Sequence, residues 1–474
     1  MSKAIVIGAG ISGLVNAKIL AKHFDHVLIL DKDRQAENPE PQHRKGLPQA
    51  YHQHILLMKG RALFETLFPG FDEELASMGS PELCYSNDVD LYVGEGKLPR
   101  FSSSIKVRPT SRTWIDAIVK KRVLALDNVE IQAALNVQRL AFNPSEKRVI
   151  GVYVISNQQA EDNRLGAQNK SDIADLIEAD LVLDCSGRGS RINKWLKEAG
   201  YPKTPSTIVD PRLAYASCQL SIPNDYDGVR AIEVAPHAPD NPRAAGLWEI
   251  KKGTWLLTLI GMAGTYPPSD EQGFKAFANA LSTNAIGDVL ADSQDELSIQ
   301  TFRSTQNIWR HYEKMSRYPS GLLVMGDALC AFNPIHGHGL TLIAKNAGIL
   351  DRYLQQGIYK GFSDKWARKF YKRLNRVFLG AWMFAISEDM RWPETIGRKL
   401  DWKLKLAYRY TDKLLETCHR STYLTETCLA VANMVRSPLV LMRPRVLAIL
   451  LWSICFRRNK QAQRSGSISG GAKP

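Results

Sequence analysis

The chain has 474 residues, of which 44% are hydrophobic and 23% are charged, values that are typical of a folded globular protein and exclude a fibrous or disordered one. A chain of this length is too long to fold around one small hydrophobic core, so we expect two domains. The formal net charge is +14, but no nucleic-acid motif accompanies it, and we predict no nucleic-acid partner.

The first predicted elements form a strand, a glycine-rich turn, a helix and a second strand. The strand Lys3–Ile7 runs into the sequence GAGISG, and the second strand, His26–Leu30, ends at an acid. This is the GxGxxG fingerprint in its required context, because Asp31 lies 18 residues beyond Gly13, close to the ~20 expected. The unit predicts a dinucleotide site, in which the glycines let the backbone approach a diphosphate. The residues expected to bind the dinucleotide are Gly8, Gly10, Ser12, Gly13, Asp31 and Lys32.

The middle of the chain is predicted to add helices and strands around this unit. Thr110 or Ser111 is expected to cap a helix. The strand Ala179–Asp184 again runs into small residues and glycines before a helix. Residues 205–315 hold alternating strands and one helix, and we predict that they form a sheet that covers the substrate.

A third glycine-bearing turn follows the predicted strand Gly321–Met325, where residues 326–339 read GDALCAFNPIHGHG. The carboxylate of Asp327 can accept a hydrogen bond from a sugar-alcohol hydroxyl, and the glycines allow the main chain to approach a flat ligand. The helix that follows directs the partial positive charge of its N-terminus towards an anion. The pattern predicts that the ribityl chain and ring edge of a flavin contact Gly326, Asp327, Pro334, Gly337, Gly339 and Leu340.

Three motifs in this order resemble the FAD-dependent aromatic-hydroxylase superfamily of monooxygenases. They are GxGxxG, the segment DLVLDCSGRGSR over 180–191, and LLVMGDALCAFNPIHGHG over 322–339. Within that superfamily, the segments Arg44–Leu56 and Phe302–Asn307 and the NPxxGHG form of the third motif resemble the flavin epoxidases that act on polyene chains in polyether biosynthesis. The resemblance covers about residues 1–350.

The resemblance implies further contacts to FAD. Arg112 matches the position that meets the FAD pyrophosphate, for which a guanidinium fork is well suited. Val137 matches a position where backbone groups bind adenine. Gln49 and Gly187 belong to the matched segments and are expected to line the same cofactor.

Two pairs of histidines lie in these segments. His52 and His54 belong to the loop that the family places beside FAD. His336 and His338 belong to the third glycine-bearing turn, residues 326–339, which we call the flavin turn. The related epoxidases carry a Tyr at the position of His336, so this chain departs from their pattern there. His336 and His338 are the catalytic candidates, as hydrogen-bond donors to an oxygen or substrate group, and a purely structural role remains open for both.

We predict an α/β fold with a Rossmann-like FAD-binding domain, an inserted β-sheet substrate domain and a helical C-terminal region. The FAD-binding domain takes residues 1–204 and 316–360, and the substrate domain takes residues 205–315. Residues 361–474 form the helical region, whose Gly/Ser-rich tail from about 461 we expect to be disordered.

The implied activity is insertion of one oxygen atom from O2, by epoxidation or hydroxylation, into a hydrophobic substrate such as a polyene, terpenoid or aromatic secondary metabolite. The alternative is a desaturase, or a reductase of isoprenoid-type substrates, without oxygen insertion. A halogenase is disfavoured because the WxWxIP signature is missing from the chain. The sequence holds one nucleotide-binding fingerprint, so NADPH or NADH is expected to supply electrons either directly or through a flavin reductase.

The positive charge is concentrated at the C-terminal end. Residues 391–474 hold 16 Lys or Arg and 5 Asp or Glu. The apolar segment Val446–Phe456 lies between two pairs of arginines and is too short to span a bilayer, which needs ~20 residues. Three interpretations remain: an interfacial helix on an anionic membrane, a helix packed on the body, or a surface for a protein partner.

Seven cysteines are scattered along the chain, without a CxxC motif or a Cys/His cluster at metal-ligand spacing. We interpret them as isolated buried thiols in a reducing compartment and predict no metal site. The first predicted strand begins at Lys3 and is needed for the dinucleotide site, so we expect no N-terminal targeting signal. We therefore expect a cytoplasmic protein, with peripheral membrane association if the C-terminal helix is interfacial.

Overall fold

A computed structural model of the chain describes residues 1–34, 37–38, 40–44, 46–94, 96–159, 174–222, 228–303, 305–356 and 363–454. The predicted disordered tail from about 461 lies outside the described residues.

A five-stranded parallel sheet carries the glycine-rich turns. Its strands are β1 Lys3–Ile7, β2 His26–Leu30, β8 Val129–Gln132, β12 Leu181–Asp184 and β20 Leu322–Val324. Their order in the sheet is β20-β12-β1-β2-β8. All neighbouring strands run parallel. Their carboxyl ends therefore meet at one edge, where ligands bind in open α/β sheets. The predicted α/β class with a parallel sheet is confirmed.

A seven-stranded mixed sheet forms the second large layer. Its order is β18-β14-β17-β16-β15-β5-β6, and its strands are β5 Val89–Val93, β6 Gly96–Lys97, β14 Ala214–Ser221, β15 Ala231–Val234, β16 Arg243–Lys251, β17 Thr254–Gly261 and β18 Gln300–Phe302. The sheet includes β5 and β6 as well as strands from 205–315, because β5 pairs in parallel with β15. The predicted domain boundaries, 1–204, 205–315, 316–360 and 361–474, remain a proposal.

Three smaller antiparallel sheets connect these layers. The first has the order β3-β7-β4, with β3 His54–Leu56, β4 Leu83–Cys84 and β7 Lys106–Thr110. The second has the order β11-β10-β9, with β9 Leu135–Asn143, β10 Arg148–Ser156 and β11 Asp175–Glu178. The third has the order β13-β19-β21, with β13 Ser206–Val209, β19 Asn307–Arg310 and β21 Cys330–Ala331.

Helices cover the parallel sheet and form the C-terminal region. They are α1 Ile11–Leu20, α2 Met58–Leu67, α3 Phe71–Ser77, α4 Arg112–Leu124, α5 Ile192–Glu198, α6 Glu271–Asn279, α7 Ala285–Asp292, α8 Gly339–Gln355, α9 Asp364–Asp389, α10 Trp402–Cys418, α11 Thr422–Ala432, and α12 over the described residues 444–454. The predicted cap of α4 is confirmed, because the Ser111 side chain accepts a hydrogen bond from the Thr113 amide. The main core is built from the parallel sheet with α1, α8 and α9, whose apolar side chains are buried together.

The six cysteines in the described ranges are free. The prediction that the thiols are isolated is wrong for one pair, because the Sγ atoms of Cys418 and Cys428 lie 3.9 Å apart. The two cysteines lie where α10 contacts α11. They are ten residues apart in the sequence, so a search for the CxxC motif does not detect the pair. Within the described ranges, no group of three or more His, Cys, Asp or Glu side chains is placed to hold a metal ion.

Candidate functional site

The first glycine turn is held tightly on one side and left open on the other. Gly8 has a φ of +102°, and Gly13 approaches it so closely that a Cβ on Gly13 would overlap the Gly8 carbonyl oxygen. A Cβ placed on Gly10, by contrast, would meet no atom within 4 Å. Gly8 and Gly13 are therefore required by the turn itself, whereas Gly10 faces open space where a ligand can approach.

The acid at the end of β2 is bound into the same turn. One oxygen of Asp31 accepts a hydrogen bond from the Ala9 amide at 2.6 Å, and the other accepts one from the Asp33 amide at 2.8 Å. The buried Arg44 donates to the Ala9 carbonyl at 2.7 Å and lies 3.8 Å from the Asp31 carboxylate. Asp31 thus holds the turn in shape, in addition to its predicted role as a ribose acceptor.

Three cationic side chains are buried beside this turn and the start of α4. Arg44, Arg112 and Lys120 are each less than a tenth exposed. Burial, and then the charge of Arg44, lower the pKa of Lys120 to about 8. Arg112 is paired with Asp116 at 2.8 Å. The charge of Arg44 disfavours the charged form of Lys120, so a bound anion such as a diphosphate would offset the repulsion between these two cations.

The third glycine turn approaches the first across the sheet edge. Gly326 has a φ of +61°, and a Cβ there would overlap the Ser12 side chain. Asp327 follows, with its side chain 44% exposed and 3.6 Å from the Nε of Arg188. Arg188 also donates to the carbonyl oxygens of Gln306, at 2.6 Å, and of Phe332. The three sequence motifs therefore converge on one edge of the parallel sheet.

A buried carboxylate from α9 holds the flavin turn. The two oxygens of Asp389 accept hydrogen bonds from the amides of Asn307, at 2.5 Å, and Asn333, at 2.7 Å. The carbonyl oxygens of these two amides accept from the backbone N–H groups of Asn333 and Ile335, both at 2.8 Å. Neither amide can therefore rotate without losing a hydrogen bond. Burial raises the pKa of Asp389 to about 7, and the two amide hydrogen bonds oppose that rise.

The two histidines of the turn lie side by side at the start of α8. Their ring centroids are 5.9 Å apart, and both rings contact Phe384 of α9. Burial lowers the pKa of His336 to about 3 and that of His338 to about 4. The Nε2 atom of His336 and the Nδ1 atom of His338 are buried without a hydrogen-bond partner in the described structure. Two neutral imidazoles thus each keep one nitrogen available for a ligand.

The first turn of α8 is also left open. No side chain caps its N-terminus, and a Cβ on Gly339 would meet no atom within 4 Å. The free N–H groups of the 17-residue helix therefore face accessible space and favour an anion there.

The loop that contains His52 and His54 joins this edge to the seven-stranded sheet. His52 Nδ1 lies 2.8 Å from the Ser217 hydroxyl on β14, and the Gln53 amide donates to Thr258 on β17 at 3.3 Å. Burial lowers the pKa of His52 to about 4 and, together with the nearby charge of Arg112, that of His54 to about 3.

An apolar cluster lies between the flavin turn and this sheet. Leu213, Tyr215, Met262 and Trp392 are buried in it, and Phe302 and Ile335 pack against them. Since Ile335 belongs to the third glycine-bearing turn, the cluster forms an apolar wall beside that turn.

The other predicted contacts differ in position and in exposure. Gly187 has a φ of +79° and an open Cβ position, and Leu340 is buried at the start of α8. Gln49 is half-buried in a short 3-10 turn, whereas Lys32 and Pro334 are exposed. Val137 lies on β9, the edge strand of its sheet, with its side chain in the core. Its main-chain contact with adenine stays a prediction.

The sequence interpretation assigned no role to Arg44, Arg188 or Asp389. Arg44 and Arg188 lie inside the matched segments and could have been found as cations next to glycine turns. Asp389 lies 50 residues beyond the third motif, on a helix that no motif marks, and its contact with Asn307 and Asn333 is visible only in the folded chain.

Four histidines with lowered pKa values contribute a loss of stability in acid. In the unfolded chain each takes up a proton near its ordinary value of 6.5, while the folded chain keeps each neutral down to about 3 or 4. The unfolded state therefore binds more protons at these positions, and their contribution to the free energy of unfolding should fall as the pH drops from about 6.5 to 4. The carboxyls of Asp184, Glu233, Glu388 and Asp389 act in the opposite direction, because burial raises the pKa of each, so the histidine contribution is measured as the difference in pH dependence between the wild type and a histidine variant.

Urea denaturation at several pH values measures this effect. His54→Gln should reduce the pH dependence, while His237→Gln, at an exposed position, should leave it unchanged. The same pH dependence in His54→Gln as in the wild type would contradict the assignment.

Comparison with known proteins gives one relative in sequence and several in fold. The chain is 33% identical over 360 residues to Protein Rv3254 of Mycobacterium tuberculosis, an alignment that covers 74% of this chain and 73% of the relative. The chain matches no protein-family profile.

Two solved structures show the likeness in fold. The flavin-dependent brominase Bmp2 aligns with a TM-score of 0.62 at 12% identity, over 96% of this chain and 99% of the brominase. The tetrameric 2-methyl-3-hydroxypyridine-5-carboxylic acid oxygenase aligns with a TM-score of 0.55 at 14% identity, over 81% of this chain and 90% of the oxygenase. At these identities the likeness establishes a shared fold, as the three sequence motifs predicted.

Proposed function

The chain belongs to the same family as Protein Rv3254 of Mycobacterium tuberculosis, and we propose that it is an FAD-dependent monooxygenase that acts on a hydrophobic organic substrate. The convergence of three glycine-bearing turns on one edge of the parallel sheet is the observation that carries this proposal. The Gly326 backbone rests against Ser12, and Arg188 joins the second motif to the third. A shared fold with a flavin-dependent brominase and an oxygenase supports it.

The described residues fit FAD. Open space above Gly10, Gly187 and Gly339 accommodates a ligand that runs along the sheet edge. Arg44 and Arg112 would then face the diphosphate, and the half-exposed carboxylate of Asp327 would accept a hydrogen bond from a ribityl hydroxyl. The uncapped start of α8 would stabilise negative charge on the reduced flavin.

Bound FAD supplies the redox chemistry, with electrons from NADPH or NADH, directly or through a flavin reductase, and with O2 as co-substrate. The protein's own residues bind, orient and shield the reactants. The apolar wall of Leu213, Tyr215, Met262 and Trp392 excludes water and receives a hydrophobic substrate.

His336 and His338 are neutral at physiological pH, so neither brings a positive charge to the site. In the proposed site His336 can donate one hydrogen bond to an oxygen atom or a substrate group, whereas His338, whose other ring nitrogen hydrogen-bonds the Ala432 backbone, presents Nδ1 as an acceptor. This is a positional role that does not require general acid catalysis by an imidazolium.

The finer proposal is oxygen insertion at an electron-rich double bond. It rests on the segments Arg44–Leu56 and Phe302–Asn307, which resemble the polyene epoxidases. Contacts of both segments with the glycine turns support the proposal, because the Arg44 guanidinium donates to the Ala9 carbonyl oxygen and the Asn307 amide donates to Asp389.

Asp327→Ala tests the cofactor assignment. Loss of a charged hydrogen-bond acceptor for the ribityl chain should weaken FAD binding by roughly 10-fold or more, as measured by fluorescence titration of the apoprotein. Asp240→Ala, at an exposed loop carboxylate, is the matched control. An unchanged dissociation constant for Asp327→Ala would reject the ribityl contact.

A further inference from the structure

The outer surface formed by α10, the 3-10 turn Pro438–Met442 and α12 exposes large apolar side chains among cations. We propose that this surface, defined by Trp402, Leu406, Leu439, Met442 and Leu451, binds the interface of an anionic phospholipid bilayer. Each of these five side chains is between 57% and 77% exposed. Single exposed apolar residues are ordinary on protein surfaces, but such a group within neighbouring elements marks an interaction site.

Contacts between the elements make α10, the turn and α12 neighbours on the surface. The Tyr410 hydroxyl of α10 donates to the carbonyl oxygen of Leu441, which lies between Leu439 and Met442 in sequence. One helical turn before Tyr410 is Leu406. At the other end of α10, the hydroxyls of Thr417 and Ser453 lie 3.3 Å apart. The turn and α12 therefore run alongside α10.

The helix α12 has apolar side chains on two faces. A helix that only packs on the protein body requires one apolar face. Val446 and Leu450 are buried with Leu414 and Cys418 of α10. That contact confirms a packed inner face. Leu451 points away from it, so the helix adds exposed apolar area on its outer side.

The charges around this surface match an anionic partner. Exposed cations flank the apolar side chains on α10, at Lys403, Lys405 and Arg409, and next to the turn, at Arg436, Arg443 and Arg445. The sequence after Glu426 holds no Asp or Glu. Leucines and a tryptophan beside lysines and arginines are the combination that inserts into the headgroup region of an anionic membrane. Among the described residues, no helix is both long enough and apolar enough to cross a bilayer, which suits binding at the surface.

Vesicle co-sedimentation of the full-length chain tests the proposal. Binding to vesicles of phosphatidylcholine with phosphatidylglycerol should exceed binding to phosphatidylcholine alone and should weaken as salt is raised. The double variant Leu439→Gln/Leu451→Gln should reduce partitioning by about 10-fold or more, and Arg436→Gln/Arg443→Gln should reduce the preference for the anionic lipid.

Leu176→Gln/Ile208→Gln is the matched control, since both side chains are exposed apolar residues on strands outside this surface. It should bind vesicles like the wild type. Point variants are preferred to deletion of residues 437–474, because deletion would also remove Val446 and Leu450 from their buried cluster.

Three outcomes would overturn the proposal. The first is an absence of vesicle binding, and the second is equal binding to neutral and anionic vesicles. The third is an absence of vesicle binding together with a concentration-dependent dimer, detected by light scattering. If the Leu439→Gln/Leu451→Gln variant abolishes that dimer, a second copy of the chain covers the surface. Each outcome is read without reference to flavin content, so failure here leaves the proposed oxygenase activity untouched.

Discussion

Gly10→Val should abolish FAD binding while leaving the fold intact. A Cβ on Gly10 meets no protein atom within 4 Å, so the apoprotein can accept the larger side chain. The same space is where the diphosphate approaches the turn, and a branched side chain there would obstruct it. We expect the FAD dissociation constant to rise by about 100-fold or more, with an unchanged thermal midpoint for the apoprotein.

Two further variants make this test specific. Gly380→Val places the same side chain at an open position on α9, away from the sheet edge, and should bind FAD normally. Gly13→Val should instead lower the stability of the apoprotein, because its Cβ would overlap the Gly8 carbonyl oxygen. Normal FAD binding by Gly10→Val would place the cofactor elsewhere.

Asp389→Ala should release the flavin turn. Its removal would leave one buried N–H of each side-chain amide, Asn307 and Asn333, without an acceptor, although Asn307 keeps its other hydrogen bond to the Val209 carbonyl oxygen, and neither amide can rotate without losing a hydrogen bond. Each unsatisfied group costs about 1–3 kcal/mol, so we expect the free energy of unfolding to fall by roughly 3 kcal/mol. The FAD affinity should fall as well, because Gly337 and Gly339 lie on the segment that Asn333 anchors.

Asp389→Asn separates the clamp from simple packing. An amide of the same shape has one acceptor oxygen, so it can satisfy only one of the two asparagines and must present an N–H to the other. It should therefore bind FAD more weakly than the wild type. Denaturation in urea and fluorescence titration with FAD measure the two effects, with Asp240→Ala as the exposed control. Wild-type values for both Asp389 variants would show that the turn holds its shape unaided.

The parallel sheet and its three turns could be predicted because local patterns determine them. A buried strand followed by glycines and a helix has few alternative structures. The residues Gly8, Asp31, Gly187 and Asp327 accordingly lie at one edge, since the carboxyl ends of parallel strands must meet there.

Contacts between distant segments were not predictable from such patterns. Asp389 lies outside the three sequence motifs. Its hydrogen bond with Asn333 forms because α9 packs against the flavin turn. The pairing of β5 with β15 joins residues more than 100 positions apart, and the contact of Cys418 with Cys428 depends on how two helices meet. Such features follow from packing of the whole chain and leave little trace in local spacing.

Isotope labelling tests most directly the proposed insertion of oxygen from O2 into a hydrophobic substrate. The FAD-loaded protein, supplied with NADPH and a flavin reductase under labelled O2, should be incubated with a panel of lipophilic alkenes and phenols. We predict a product that carries one labelled atom, with the second labelled atom released as water. A product that is desaturated or reduced, and that carries no label, would contradict the claim.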